Sequence, residues 1–106
     1  MRLHLSEHDR YDGMPLYKAV ANLCQVLGIA GITVFRGAEG YGESAELRQR
    51  RILTHDQPIV VTIVDRAENI KRLMPEVEKM IDTGMIAISD VEMIRIEGSK
   101  VAELEA

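Results

Sequence analysis

Between Arg36 and Ser44 the chain reads Arg-Gly-Ala-Glu-Gly-Tyr-Gly-Glu-Ser, with glycines at 37, 40 and 42. Glycine lets a backbone turn sharply or approach a ligand closely. Successive free N–H groups in such a loop can hold an anion. Anion binding is therefore the chemistry this segment offers. The Gly-Lys-Ser/Thr sequence of a standard P-loop is absent. On glycine spacing alone, an ordinary loop after a strand remains the other reading.

The remaining reactive side chains form no recognisable constellation. His4, His8 and His55 fall on an N-terminal strand, a turn and a long loop. No two of them share a helix at i, i+4 or a strand at i, i+2, and Cys24 is far from all three in sequence, so no metal site is expected. Ser6, Ser44 and Ser99 lack a Gly-x-Ser-x-Gly frame. Glu7, Asp9, Glu43 and Glu46 lie in polar segments, where exposure is the usual outcome. No catalytic residue is assigned. Arg48, Arg50 and Arg51 share their connection with Glu39, Glu43, Glu46 and Asp56, so the segment is nearly neutral. It also lacks the interleaved aromatics that stack on bases. A solvated or partner-facing loop is the expectation, not a nucleic-acid surface.

Composition agrees. The 106 residues suit one compact domain, and the net charge of −4 gives no global attraction to nucleic acid. Aromatic residues make up only 4%, so the core must be aliphatic. The single cysteine, Cys24, excludes an internal disulfide and falls on the apolar side of a predicted helix. No apolar run reaches the ~18 residues of a membrane span. With no apolar signal segment after Met1-Arg2, a cytoplasmic protein is expected.

Six elements position these residues. Arg2–Ser6 alternates polar and apolar as a half-buried strand does. Asp12-Gly13 is a turn signal, and Pro15 fits the first turn of a helix. Leu16, Val20, Leu23, Cys24 and Leu27 form that helix's apolar stripe, and Gly28 stops it. Gly31–Gly37 is rich in β-branched residues and reads as a strand. Periodicity is then lost from Ala38 to Gln57. Pro58–Asp65 is the clearest strand, apolar on both faces, so one of those faces calls for cover by self-association. Asp65 is placed to cap the next helix, whose stripe is Ile70, Leu73, Met74, Val77, Met80 and Ile81. Pro75 inside it should kink or restart the helix. Met85–Ile88 and Val91–Ile96 are strand-like, with Ser89-Asp90 as a bulge or turn, and a polar tail follows Gly98. The order predicts an α+β, ferredoxin-like β-α-β-β-α-β fold: an antiparallel sheet with two helices on one face.

The residues Gly28–Gly42 resemble the strand and loop start of PII signal proteins, as does the close of the chain from Thr83-Gly84 to Ile96. The likeness is closer to the PII-like family of domain of unknown function 190. It is carried by Glu7-x-Asp9-Arg10-Tyr11-x-Gly13-x-Pro15-Leu16-Tyr17, by Arg36-Gly37-x-x-Gly40-Tyr41-Gly42, and by Pro58–Asp65. This resemblance implies a homotrimer of single-domain subunits spanning 1–106. The connection at about 38–57 is then the T-loop that reaches partners. The resemblance also implies that adenine nucleotides or other small effectors bind in clefts between subunits. The implied ligand-binding residues are Thr33, Gly40, Gly42, Ser44 and Arg95. Arg48, Arg50 and Arg51 belong to the implied partner-binding loop. A membrane transporter or channel is one candidate partner. No resident cofactor is expected, beyond a nucleotide or other anionic effector.

The chain departs from the PII pattern at several cationic places. Glu43-Ser44 stands for an Arg-Gln pair, Val61 for a lysine and Glu97 for the second terminal arginine. Thr83-Gly84 runs straight into Met85, without a Gly-Asp-Gly-Lys turn. Each charge-assisted phosphate contact is worth about 1.5–3 kcal/mol, so weak ATP binding is expected. The resulting expectation is a trimeric regulator that is not an enzyme. The alternatives are a small enzyme using the intersubunit cleft and a metal-binding trimer of the CutA type.

The connection exceeds the ~12–15 residues beyond which structureless loops are usually functional or disordered. Limited proteolysis is expected to cut first near Arg48, Arg50 or Arg51. First cleavage inside either helix would contradict this.

Overall fold

The computed structural model describes residues 1–38 and 57–98. The predicted connection from Ala38 to Gln57 lies outside them except at its two ends. So do Gly40, Gly42, Ser44, Arg48, Arg50 and Arg51.

Four strands form one antiparallel sheet: β1 (Arg2–Ser6), β4 (Gly31–Arg36), β5 (Pro58–Val64) and β6 (Met85–Ala87). Their spatial order is β4-β5-β1-β6. Helix α1 (Leu16–Val26) links β1 to β4, and α2 (Ala67–Met80) links β5 to β6. This is the ferredoxin-like β-α-β-β-α-β arrangement, with β1 and β5 central. A two-stranded ribbon, β2 (Arg10–Tyr11) and β3 (Met14–Pro15), is added between β1 and α1. Its two-residue turn is Asp12-Gly13, with φ of 50° and 82°. Positive φ at both turn positions is what an Asp-Gly hairpin supplies cheaply.

Alternation along the strands decides what is buried. Val34, Val61, Leu3 and Ile86 stand in one register row across the sheet. Leu3, Leu5, Ile59, Val61 and Ile63 are fully buried with Leu16, Val20 and Cys24 of α1 and Leu73 and Val77 of α2. Each such aliphatic side chain contributes about 1.5–3 kcal/mol by leaving water. Cys24 is a free, buried thiol, and burial pushes its pKa up to about 11, so it packs as a neutral group.

Helix ends follow the sequence in one case and depart from it in two. Gly28, at φ 71°, closes α1; its N–H donates to the Gln25 carbonyl, and Ile29 N–H donates to Cys24. That pair of bonds is the Schellman arrangement. Asp65 was expected to cap α2, but the residue at that position is Arg66, and no side chain caps the helix. The Asp65 carboxylate instead accepts from the Asn69 side-chain amide (2.9 Å) and from the Ala30 N–H (2.9 Å). These bonds, with one from Arg66 N–H, lower its pKa. The carboxylate thus ties the start of α2 to the start of β4. Pro75 does not restart α2, which runs unbroken from Ala67 to Met80. The proline sits on the exposed face, and so does Lys71, whose carbonyl loses its usual partner there.

The last strand is the largest correction. It covers only Met85–Ala87, and Val91–Ile96 forms no strand. A strand needs a partner edge, and among the described residues β6 pairs only with Arg2–His4 of β1. Nothing among the described residues takes up the segment beyond Ala87.

Leu3→Ala is expected to lower stability by about 2–4 kcal/mol, as core truncations of this size do. Val26→Ala, on the exposed side of α1, should change it by less than about 0.5 kcal/mol. Urea unfolding midpoints of the two variants test the pair.

Candidate functional site

The long connection leaves the sheet after β4 and returns at β5, and its two ends are held by one side chain. Glu7, in the turn after β1, pairs through Oε2 with the Arg36 guanidinium. Its Oε1 accepts from the Gln57 N–H at 2.9 Å. The Glu7 N–H donates to the Gln57 carbonyl at 3.0 Å. Beside it, Gly37 N–H donates to the Pro58 carbonyl at 2.8 Å. Glu7 thus holds Arg36 at the start of the connection and Gln57 at its end.

The turn that presents Glu7 is built locally. Ser6 N–H donates to Asp9 Oδ2 (2.9 Å), and His8 N–H donates to Ser6 Oγ (3.1 Å). Asp9 N–H returns to the Ser6 carbonyl, and Leu16 N–H donates to the Asp9 carbonyl at the start of α1. Short polar side chains that bond their own backbone make such turns. Glu7 and Asp9 are therefore half-buried working groups, not the exposed carboxylates that a polar segment suggests. The signal was available in the acidic positions of the Glu7-x-Asp9-Arg10 motif, but no sequence rule pairs Glu7 with residues so distant along the chain.

Glycine at 37 is required by space. A Cβ there would lie 2.9 Å from Cγ of Pro58, closer than real contacts allow. The Arg36 side chain is 47% exposed, so its pair with Glu7 is screened and worth about 0–1 kcal/mol. Among the described residues its guanidinium meets only Glu7, and Arg36 is the cation at the start of the glycine-rich connection, able to meet an anion.

The second feature is the sheet face opposite the helices. Phe35, Val60, His4 and Met85 form one register row across it, and Thr33, Thr62, Arg2 and Ala87 form the next. Phe35 is 56% exposed. Thr33 lies on this open face, on edge strand β4. Arg95 lies in the irregular segment past β6, its side chain 87% exposed and its Nε 3.7 Å from Glu97. Thr33 and Arg95 thus share no element, one standing on β4 and the other in the segment past β6. Val61, the place where the resemblance puts a lysine, is fully buried under the helices and lies away from any surface ligand. Among the described residues no group of three His, Cys, Asp or Glu could hold a metal ion. A cavity of about 330 Å³ lies on the helix side, walled by Met14, Leu23, Val26 and Met80. No helix among the described residues is long and apolar enough to cross a membrane.

Glu7→Ala removes both the Arg36 pair and the Gln57 bond. It is expected to cost about 1–2 kcal/mol and to speed cleavage near Arg48–Arg51. Glu7→Gln, which keeps an acceptor for Gln57, should have the smaller effect. Equal cleavage rates in all three proteins would show that Glu7 does not hold the loop base.

Comparison with known proteins places this geometry. The sequence profile of DUF190, described as "Uncharacterized ACR, COG1993", matches residues 1–93. A "UPF0166 protein" of Aquifex aeolicus (strain VF5) is 38% identical over 96 residues, covering 89% of this chain and 90% of the relative. A second UPF0166 protein, from Methanocaldococcus jannaschii, is 33% identical over 100 residues, covering 92% of each. The match spans the Glu7 turn, the loop base and the whole four-stranded sheet, and the chain belongs to the PII-like DUF190 family.

Proposed function

We propose that this chain is the subunit of a PII-like homotrimeric regulator and carries out no chemistry. It binds a small anionic effector at clefts between subunits and a partner protein through the connection at about 38–57. The observation that carries the reading is that one chain leaves both an apolar sheet face and an apolar segment without cover. Phe35, Val60 and Met85 stand on the open face. Val91, Met93, Ile94 and Ile96 follow β6 at 63–90% exposure. Uncovered apolar patches of this kind mark association surfaces. A second copy carries the complement of each.

The effector reading rests on the same incompleteness. Thr33, on edge strand β4, and Arg95, in the exposed segment past β6, share no element of one chain, and the packing of two copies would bring them to one ligand. Arg36, beside the glycine-rich connection, adds a cation at its base. Ligand contacts there would order the connection and so change its fit to a partner. The acidic Glu43 and Glu97 disfavour a triphosphate, so a monophosphate or carboxylate is the better ligand. A membrane transporter or channel is a candidate partner.

Light scattering at micromolar concentration is expected to give the trimer mass; a persistent monomer mass would sink the assembly and the cleft with it. Calorimetry should show anion binding that Gly42→Val abolishes and Arg95→Ala weakens, with ATP weaker than a monophosphate. Tight ATP binding untouched by both substitutions would place the site elsewhere.

A further inference from the structure

His4 occupies an unusual place for an ionisable residue. It sits on central strand β1, on the open face of the sheet, with Val60 on one side and Met85 on the other in the same register row. Phe35 stands beyond Val60 in that row. The imidazole is already half-buried in a single chain. Among the described residues of the strands, one positively charged group shares the face: Arg2, two residues back on β1, between Thr62 and Ala87. The other strands contribute no charge to it. β4 presents Gly31, Thr33 and Phe35; β5 presents Pro58, Val60, Thr62 and Val64; β6 presents Met85 and Ala87. Asp90, Glu92, Arg95 and Glu97 lie on the exposed segment past β6, and among the described residues no ion pair joins any of them to His4.

We infer that self-association of this chain is proton-linked through His4, so that the assembled form is favoured at neutral and alkaline pH and released by mild acid. This rests on the reading that copies pack over the open sheet face. Covering that face moves the imidazole from a half-wet surface into an aliphatic layer. Burial there penalises the charged form of histidine. Arg2 on the same face adds a repulsion that protonation of His4 would increase. Histidine is the side chain whose ordinary charge change falls between about pH 5 and 8, so that range is the one to test. The sign follows from linkage. The separated chain binds the proton and the assembled chain excludes it, so assembly weakens as pH falls through that range. The association constant should drop by up to about tenfold per pH unit for each imidazole that must stay neutral.

The experiment is sedimentation equilibrium of the full chain and of His4→Gln at about pH 8 and about pH 5.5, spanning the histidine range. Circular dichroism at both values checks that the fold persists. The expected result is an oligomer of wild type at the higher pH and a smaller species at the lower, while His4→Gln holds its mass at both. If wild type is a monomer already at the higher pH, the self-association reading fails and takes this inference with it. If wild type keeps one oligomer mass at both pH values, assembly stands and the proton switch is overturned. Loss of mass by His4→Gln in step with wild type also overturns it, assigning the acid sensitivity to other groups. Should His4→Gln not assemble at all, the ring-proton resonance of His4 in wild type decides. Titration coincident with loss of mass supports the switch, and full titration at constant mass overturns it.

Discussion

The constraint on which the rest depends is the two-sided apolar character of β5. Pro-Ile-Val-Val-Thr-Ile-Val places Ile59, Val61 and Ile63 on one face and Val60 and Val64 on the other. Strand periodicity makes this unavoidable, since successive side chains point to opposite faces. Two amphipathic helices can cover one face only, and α1 and α2 bury Ile59, Val61 and Ile63 of β5 completely. The other face of β5, and with it His4 of β1 and Phe35 of β4, is left half-wet. The burial that stabilises the chain and the apolar surface proposed for association arise from the same seven residues.

The second organising contact is electrostatic and local to the connection. A segment of this length has ends that must be brought together at an entropic cost that grows slowly with its length. The residues that flank it are already adjacent because β4 and β5 pair, and Glu7 adds a third point of attachment from β1. Arg36, Glu7 and Gln57 thus define a base whose geometry is set by three neighbouring strands. Whatever binds at that base acts on both ends of the connection at once. Gly37, pressed against Pro58, leaves no room for a side chain between them.

The element order, the aliphatic core and the apolar stripes were legible in the sequence because each follows from short-range rules. Gly28 ends α1 through a left-handed backbone that glycine adopts without strain. Leu16, Val20 and Cys24 fall on one side of a helix because its period is 3.6 residues. Asp12-Gly13 announced a turn, though the two-residue strands on either side of it were too short to carry a pattern. Of the site residues, Thr33 stands on the strand expected for it, whereas Arg95, expected near the end of a last strand, lies in an irregular segment past β6.

What the sequence determined by itself was therefore periodic or local: which faces are apolar, where helices stop, which loop is glycine-rich, and membership of a family through motifs spread along the chain. Tertiary structure decided everything that joins distant residues. It recruited Asp65 to Ala30 and Asn69 rather than to a helix cap. It turned Glu7 from a surface carboxylate into the tie between Arg36 and Gln57. It buried Val61 where a ligand-facing lysine was the comparison. It also left Val91–Ile96 without a strand, although the residues suit one. Side-chain alternation is written into a sequence, but a strand exists only where another edge offers its N–H and C=O groups, and that edge is supplied by the fold or by a second copy.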